Sequence, residues 1–252
     1  RYDTTAFDSG PTHLPSIKAS TRIEPSAPFY FFMKRDTANE EVYNRGFSVN
    51  DMFPVSTVGV VTAKDAVLID TSKSLLLDKV ADHYQIQPDK MLIANIDYRP
   101  FDKRYVYYDV SKIERPREKV MRHFIEGYNV GLIFSRQAIT NNWSHIQATT
   151  AMSDNRVHYS NKGIPICAPL YLYDAQDGKS RRPNLDMEIV GQIAEKIGLQ
   201  FEEEKSGNIE AFCPMDLLDY IYGILHSPSY REQFKEFLKV DFPRIPYPTD
   251  AN

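Results

Sequence analysis

The spacing of apolar residues changes along this chain, from short runs in its first part to helical periodicity in its last third. Short runs rich in β-branched and aromatic residues are typical of buried strands. They predict strands over residues 27–33, 53–63, 66–69, 105–108, 130–135 and 166–173. A bend is expected at Gly59, the single glycine of the second run. Helical spacing predicts helices over residues 72–84 and, after Pro116, over 117–125.

The last third is predicted to contain three helices. The first covers residues 187–197 and ends at Gly198, since glycine readily adopts the left-handed conformation that closes a helix. The second opens at Pro214, and the third follows the N-cap residue Ser227, with Phe234 and Leu238 facing inward.

The order of these elements predicts the fold class. In the second of the three helices, Leu217, Ile221 and Leu225 repeat at four-residue spacing and should form one buried face. Because the strands come first and the helices last, we predict an α+β fold rather than alternating βα units. It would consist of one or more mixed β-sheet lobes with a C-terminal helical hairpin packed on the sheet.

The predicted domain organisation is simple. Residues 1–24 are polar and should form a linker or N-terminal extension, and residues 25–252 should form the main domain. Sub-lobes at 25–90 and 91–252 are possible within it. The chain starts without an initiator Met or an apolar signal core, so we expect it to be part of a longer polypeptide.

Composition limits the cellular location and the kind of nucleic-acid binding that we expect. No run of 18 apolar residues exists, so we expect no membrane span. The two cysteines, Cys167 and Cys213, exclude a disulfide framework and fit a reducing compartment, which favours a cytoplasmic location. The net charge of −4 argues against a protein that coats DNA by bulk charge, so any nucleic-acid surface must be local.

One segment reverses this charge. Residues 98–122, which we call the basic strip, carry eight Lys or Arg against four acids, together with four Tyr. Such a strip on an acidic protein is the pattern of a surface that meets a polyanion. Arg99, Lys103 and Arg104 suit phosphates, and tyrosines such as Tyr107 suit base stacking or phosphate contacts. The alternative is a half-buried strand whose tyrosines pack and whose arginines pair with local carboxylates.

The sequence contains none of the common catalytic motifs. GxxxxGK[ST], GxGxxG, GxSxG, CxxC and HExxH are all missing, and the six histidines are scattered. Glu203-Glu204-Lys205 matches half of a nuclease pattern, but its only Pro-Asp pair lies more than a hundred residues upstream. The chain also lacks the Asn/Asp-Pro-Pro-Tyr/Phe tetrad with which amino-methyltransferases hold a flipped adenine. We therefore expect no catalytic residues, no metal and no cofactor in this chain.

Eight motifs in order carry a resemblance to a known family. They are APFYFF (27–32), STVGVVTAKD (56–65), YRPFDKRYVYYD (98–109), RPREKVMRH (115–123), NVGLIFSRQ (129–137), PLYLY (169–173), RRPNL (181–185) and DYIYGILHSPSYREQFKEFLKVDFPRIPYP (219–248). Their order and spacing resemble the C-terminal specificity region of type ISP restriction-modification enzymes and related large adenine-specific DNA methylases. In that family the pattern usually continues past PRIP by some tens of residues.

The resemblance implies a division of labour. An upstream domain of the same polypeptide would bind S-adenosylmethionine and methylate adenine N6, and this region would choose the double-stranded DNA sequence. The target adenine would be rotated out of the duplex into the upstream pocket. The candidate DNA-binding residues are the basic or polar side chains Lys64, Arg99, Lys103, Arg104, Tyr107, Arg136, Gln137, Arg181 and Arg182.

Different roles are expected within this set. Arg136 suits guanine and Gln137 suits adenine in the major groove, whereas Lys64 suits phosphate. Arg99 and Arg104 flank Asp102 and could instead brace the turn. Two other classes of function stay open, a protein-docking module with little DNA contact and a nuclease with an unfamiliar metal site.

Overall fold

The structure is a computed structural model that describes residues 38–137, 143–158, 163–174 and 180–250. The predicted extension (1–24) and the predicted strand at 27–33 lie outside these described residues. The described part of the chain has the α+β class that the sequence predicts, and its longest helix lies in the C-terminal third. No helix in these ranges is both long and apolar enough to cross a membrane.

The strands are short and are distributed along the whole described chain. They are β1 (Phe47–Ser48), β2 (Thr57–Val58), β3 (Ile69–Asp70), β4 (Ile93–Arg99), β5 (Asp102–Tyr107), β6 (Gly131–Ser135), β7 (Ile146–Thr149), β8 (Met152–Ser153), β9 (Pro165–Pro169), β10 (Tyr171–Tyr173), β11 (Arg181–Pro183), β12 (Gln200–Phe201), β13 (Ala211–Phe212) and β14 (Arg244–Ile245).

Helices flank the strands, and the three longest have 11 to 13 residues. The α-helices are α1 (Glu40–Asn44), α2 (Val49–Met52), α3 (Asp65–Leu68), α4 (Lys73–Tyr84), α5 (Glu118–Met121), α6 (Met187–Ile197), α7 (Pro214–His226), α8 (Pro228–Gln233) and α9 (Lys235–Leu238). Short 3₁₀ turns cover Lys90–Leu92 and Arg122–Phe124.

Two four-stranded sheets organise the fold. One has the order β3-β5-β4-β8 and is mixed, because β8 runs parallel to β4 while the other pairs are antiparallel. The other has the order β2-β9-β6-β7 and is antiparallel throughout. Separate two-stranded pairs are β1-β14, β10-β11 and β12-β13. Strands from before and after residue 90 pair within both large sheets.

The antiparallel sheet contributes to two hydrophobic cores. Successive residues of β6 point to opposite faces, so Leu132 and Phe134 join the cluster formed with α6 to α9, and Ile133 joins the other. The second cluster includes Cys167 from β9 and Val80 from α4. The C-terminal helices and α4 therefore belong to different cores.

The helix predictions are confirmed where a capping residue marks the helix end. Ser72 accepts a hydrogen bond from the backbone of Leu75 and starts α4. Gly198 ends α6 with a φ of 70°. Ser227 caps α8 through the N–H of Tyr230. A side-chain oxygen accepts a hydrogen bond from a free N–H group at the start of a helix, and a glycine adopts the left-handed conformation at its end. Both kinds of boundary can be recognised from the sequence.

Other boundaries differ from prediction. The strand at 66–69 is wrong, because α3 occupies most of it and β3 starts only at Ile69. A short apolar run does not distinguish a buried helix from a strand. The run 166–173 divides into β9 and β10 when the chain changes its pairing partner from β6 to β11. The predicted third C-terminal helix breaks at Phe234, which separates α8 from α9.

Candidate nucleic-acid interface

The start of the basic strip forms a tight hairpin between β4 and β5. Arg99 pairs directly with Asp102, so Pro100 and Phe101 are the only two residues of the turn. Further from the turn, Lys103 lies opposite Asp97 and Arg104 lies opposite Ile96. Side chains directly opposite each other in an antiparallel pair share a face of the sheet.

An arginine–carboxylate pair braces this hairpin. The Arg104 guanidinium donates to both oxygens of Asp102, with distances of 2.7 and 3.0 Å, and it holds the pKa of that carboxyl below its usual value. The Cζ atoms of Arg104 and Arg99 lie 4.1 and 4.0 Å from the ring centroid of Tyr98. The Tyr98 hydroxyl in turn donates to Asp65 at 3.0 Å. Arg104 thus braces the turn, as in the alternative interpretation of its position beside Asp102.

Arg99 makes a longer-range contact. Its Nη1 atom donates to Oδ1 of Asp154 at 2.7 Å, and Asp154 is buried. Burial raises the pKa of Asp154, while the hydrogen bond from the Arg156 backbone and the charge of Arg99 oppose the rise. Gly59 permits this arrangement, because a Cβ atom there would lie 2.3 Å from the backbone of Asp154.

A cleft of about 400 Å³ opens at this contact. Three sequence segments meet around it: the stretch after Gly59, the end of β4 at Arg99, and the turn after β8 at Asp154 and Asn155. Hydrogen-bond donors and acceptors from all three segments therefore line the same cleft. Asp154 and Asn155 belong to none of the motifs from which the DNA-binding residues were predicted.

Much of the remaining basic strip is neutralised within the protein. Lys112 pairs with Asp109 at 2.5 Å, and Arg122 pairs with Glu126 at 2.8 Å. Together with Arg99 and Arg104, four of the eight cations therefore have carboxylate partners. Lys103 is exposed and makes no ion pair within the described part of the chain, so its charge is available to a partner.

The burial of Tyr107 contradicts its predicted contact with DNA. Its side chain is only 2% exposed, and its hydroxyl accepts a hydrogen bond from the backbone N–H of Asp89. Tyr108 is also buried and donates to the carbonyl of Pro116. Both rings pack in the hydrophobic cluster that also contains Ile96 and Val106. Tyr107 is thus a packing residue rather than part of a surface that DNA could contact.

A second arginine-bearing hairpin joins β10 and β11. Arg181 donates to both oxygens of Glu204 at 2.6 and 2.7 Å, and its Cζ atom lies 3.8 Å from the ring centroid of Tyr171. The ion pair with Glu204 raises the pKa of Arg181. Arg182, its neighbour, is exposed and lies opposite Leu172. Arg182 makes no ion pair among the described residues.

A basic cavity of about 460 Å³ lies beside this second hairpin. Among the described residues, its lining includes Lys119, Arg122, Arg181 and Arg182, against one carboxylate, that of Asp174. Arg122 also donates to the carbonyl of Tyr173, which connects the end of the basic strip to β10. Lys119 and Arg122 were assigned to a helix by sequence, and their meeting with Arg182 depends on long-range packing.

A buried polar network holds β10 in place. The Asn129 side chain donates to the carbonyls of His123 and Tyr171 and accepts from the N–H of Tyr171. His123 Nδ1 accepts from the N–H of Tyr173 at 3.0 Å. Burial and the adjacent Arg122 charge lower the pKa of His123 to about 4. The ring is therefore neutral at physiological pH and fixes the strand that carries the basic hairpin.

The other predicted contacts lie apart from both hairpins in the hydrogen-bond network. Lys64 donates to the Tyr84 hydroxyl at 3.2 Å. Arg136 pairs with Asp241 at 3.0 Å, and Gln137 donates to the carbonyl of Val240 at 3.3 Å, although both side chains are exposed. The end of β6 is thus attached to the segment after α9. No group of three or more potential metal ligands occurs among the described residues.

A comparison with protein-family models identifies the family. The model of the Type ISP C-terminal specificity domain matches residues 76–252 of the chain. No curated protein matches the sequence. The motif order in the sequence and this match point to the same family independently of the hairpin geometry.

Three solved structures with a similar fold are DNA complexes. A cryoEM structure of a DrdV–DNA complex has a TM-score of 0.69 and 20% identity, covering 90% of this chain and 26% of that chain. A nuclease-deletion mutant of the Type ISP restriction-modification enzyme LlaGI, in complex with a DNA substrate mimic, has a TM-score of 0.61 and 19% identity, covering 88% and 23%. The ATP-dependent Type ISP restriction-modification enzyme LlaBIII bound to DNA has a TM-score of 0.59 and 19% identity, covering 81% and 15%. The chain thus spans only about a quarter or less of these proteins' lengths.

Proposed function

This chain belongs to the family of Type ISP C-terminal specificity domains, and we propose that it is the module with which a restriction-modification enzyme recognises double-stranded DNA. The family match, which covers residues 76–252, is the observation that carries this proposal. The DNA complexes among proteins of similar fold support it. Bacterial enzymes of this kind would act on DNA in the cytoplasm.

The two hairpins supply the proposed phosphate contacts. Lys103 on β5 and Arg182 on β11 are exposed cations without an ion pair in the described ranges. Arg104 and Arg181 are held rigidly by carboxylates and by tyrosine rings, so little side-chain entropy would be lost when they meet a phosphate. The phosphate contacts would fix the register of the protein on the duplex.

Base reading is proposed for Arg136 and Gln137. A guanidinium can donate to guanine O6 and N7, and an amide can pair with adenine N6 and N7. Both side chains are exposed but are bonded to Asp241 and Val240. DNA would have to displace these partners, which is feasible because surface ion pairs stabilise by only about 1 kcal/mol or less.

The chemistry is proposed to lie upstream in the same polypeptide. A methyltransferase domain there would bind S-adenosylmethionine and methylate adenine N6 after the target base has been flipped from the duplex. The chain described here would position the DNA and would itself carry no catalytic residue and no cofactor. Its Tyr107 would support the hairpin from the core rather than contact DNA.

A docking module with little DNA contact is the second candidate. The observation in its favour is the pairing of four strip cations with carboxylates, which leaves fewer charges for phosphates. Such a module would bind DNA weakly, and its binding would change little with salt.

Selection of bound duplexes from a randomised pool tests the proposal. The chain should enrich one short sequence over successive rounds, and each mismatch in that sequence should weaken binding by about 1–3 kcal/mol. A pool that stays random while binding is retained would favour the docking module. Transfer of labelled methyl groups to DNA by this chain alone would contradict the proposed division of labour.

A further inference from the structure

The tip of the β4–β5 hairpin presents a bare aromatic ring. Phe101 has an exposed fraction of 103%, the largest of any large apolar side chain that the structure describes. Within the described ranges, no neighbouring group covers the ring. Exposed apolar residues are common at protein surfaces, so exposure alone does not identify a function, and the backbone at this position is needed as well.

The backbone of Phe101 is in an unfavourable conformation. Its φ is +64°, in the left-handed region where glycine and asparagine are the usual residues. Pro100 precedes it and fixes the first position of the two-residue turn. A bulky residue in this conformation raises the free energy of the folded state. No packing of the ring against the described residues compensates for that cost, which is a reason to look for a bound partner.

The hairpin holds this ring in a fixed place. Asp102 and Arg104 form their bidentate pair next to the turn, and Arg99 is fixed to Asp154 on β8's side of the sheet. The hydroxyl of Tyr98, whose ring contacts both arginines, donates a hydrogen bond to Asp65. A braced turn presents Phe101 with little conformational entropy left to lose, which favours a binding role over random exposure.

The charge around the ring indicates the kind of partner. From residue 98 to residue 104 the hairpin has three basic side chains and one acidic side chain, on a chain whose net charge is −4. Lys103 stands beside the turn without an ion pair within the described residues. An apolar protein groove would gain nothing from these charges, whereas phosphates on either side of a base would.

We propose that Phe101 is a base-stacking residue, whose ring packs on a nucleobase of the bound DNA while Lys103 contacts the adjacent backbone. The proposal rests on the DNA-recognition function proposed above and adds a contact that reads no hydrogen-bond pattern. Every base has a π-face, so the contact strengthens binding to all sequences. Apolar side chains inserted between base steps act in this way in other DNA-binding proteins.

The test compares DNA with a polyanion that has no bases. Wild-type chain, Phe101→Asn, Phe101→Trp and Lys103→Gln are titrated with a fluorescent duplex and with heparin over a range of salt concentrations. Asparagine tolerates the left-handed φ, so Phe101→Asn should fold with an unchanged or higher unfolding midpoint. Ile209→Asn is the matched control, since Ile209 is 93% exposed. It lies on the loop between β12 and β13 (202–210), which carries four glutamates and one lysine and which we call the acidic loop.

The proposal predicts a specific pattern. Phe101→Asn should weaken duplex binding at least about five-fold, with the salt slope and heparin binding unchanged. Phe101→Trp should bind like wild type or tighter, and Ile209→Asn should have no effect. Lys103→Gln should weaken binding to both ligands and reduce the salt slope.

Three results would overturn it, and they separate its failure from that of the proposed function. Wild-type affinity of Phe101→Asn for DNA would exclude stacking and make a protein surface the better partner for the ring. Equal losses for DNA and heparin would show that the change acts on the charges or the fold. Failure of the wild-type chain to bind the duplex at all would contradict the proposed function and this inference together.

Discussion

The two arginine-bearing hairpins are built on the same plan but are anchored differently. Each has an arginine over a tyrosine ring two positions diagonally across the strands, Arg104 on Tyr98 and Arg181 on Tyr171. Each of these arginines also donates hydrogen bonds from two nitrogens to a carboxylate. The diagonal arrangement is within reach of long side chains in an antiparallel pair.

The difference lies in where the carboxylate comes from. Asp102 is two residues from Arg104, so the β4–β5 hairpin braces itself. Glu204 is 23 residues from Arg181 and belongs to the loop before β13, so the β10–β11 hairpin depends on the C-terminal region. A self-contained hairpin can be recognised from a local motif. A hairpin held by distant partners can be understood only from the folded chain.

The largest expected effect would test the dependence of the second hairpin on the helical core. Ile221 is fully buried in the cluster that also contains Tyr171. Replacing Ile221 by Ala should lower the free energy of unfolding by about 2–5 kcal/mol, as in other large-to-small core changes. Chemical denaturation measures this difference.

The control for that change is Ile209→Ala, at a side chain that is 93% exposed. It should alter the free energy of unfolding by no more than about 0.5 kcal/mol. An unchanged unfolding midpoint in Ile221→Ala would show that α7 is not part of the core under the β10–β11 hairpin.

A pH titration would sharpen the comparison further, because the buried His123 accepts a hydrogen bond from the Tyr173 N–H and so holds β10 of the second hairpin. Burial lowers the pKa of His123 to about 4, below its ordinary value of 6.5. The unfolded chain therefore takes up a proton at a higher pH than the folded chain does. Stability is retained above pH 6.5 and is lost as the pH falls toward 4, with this group contributing a loss of about 2 kcal/mol between pH 8 and pH 5.

The His123→Asn variant isolates this contribution. The asparagine amide oxygen can accept the Tyr173 N–H bond that His123 Nδ1 accepts. Wild type and variant should then differ by about 2 kcal/mol in the pH dependence of unfolding over the same interval. His158, whose pKa burial also lowers to about 4, contributes equally to both proteins. Parallel pH curves for the two proteins would show that His123 does not titrate differently on unfolding.

Much of the fold was predictable from local signals. Periodic apolar residues and capping groups placed α4, α6 and α7. The predicted α+β class is confirmed, although strands and helices are interspersed along the described chain rather than separated. The failures fall where the local signal is ambiguous. Residues 66–69 are apolar enough for a strand, yet the chain turns helically after Lys64, whose carbonyl accepts from Val67 and Leu68. A short apolar run does not by itself distinguish these two conformations.

The positive charge of the candidate interface could be predicted from the sequence, but its long-range ion pair could not. The excess of cations in the basic strip is visible in the sequence, and so is the proximity of Arg104 to Asp102. The Arg99–Asp154 pair joins residues 55 positions apart, and no spacing rule anticipates it. The burial of Tyr107 does not follow from strand alternation, because its neighbours Val106 and Tyr108 are buried as well. The DNA contacts of the remaining residues are still predictions.

The most direct test of the account is the salt dependence of duplex binding in Lys103→Gln, Arg182→Gln and the double variant. The Lys205→Gln variant is the control, since Lys205 lies on the acidic loop and pairs with Asp216. If one exposed cation on each hairpin contacts a phosphate, each single change should reduce the slope of log affinity against log salt by about one, and the double change by about two. The control should match wild type. A wild-type slope in the double variant would contradict the claim that these two hairpins hold DNA.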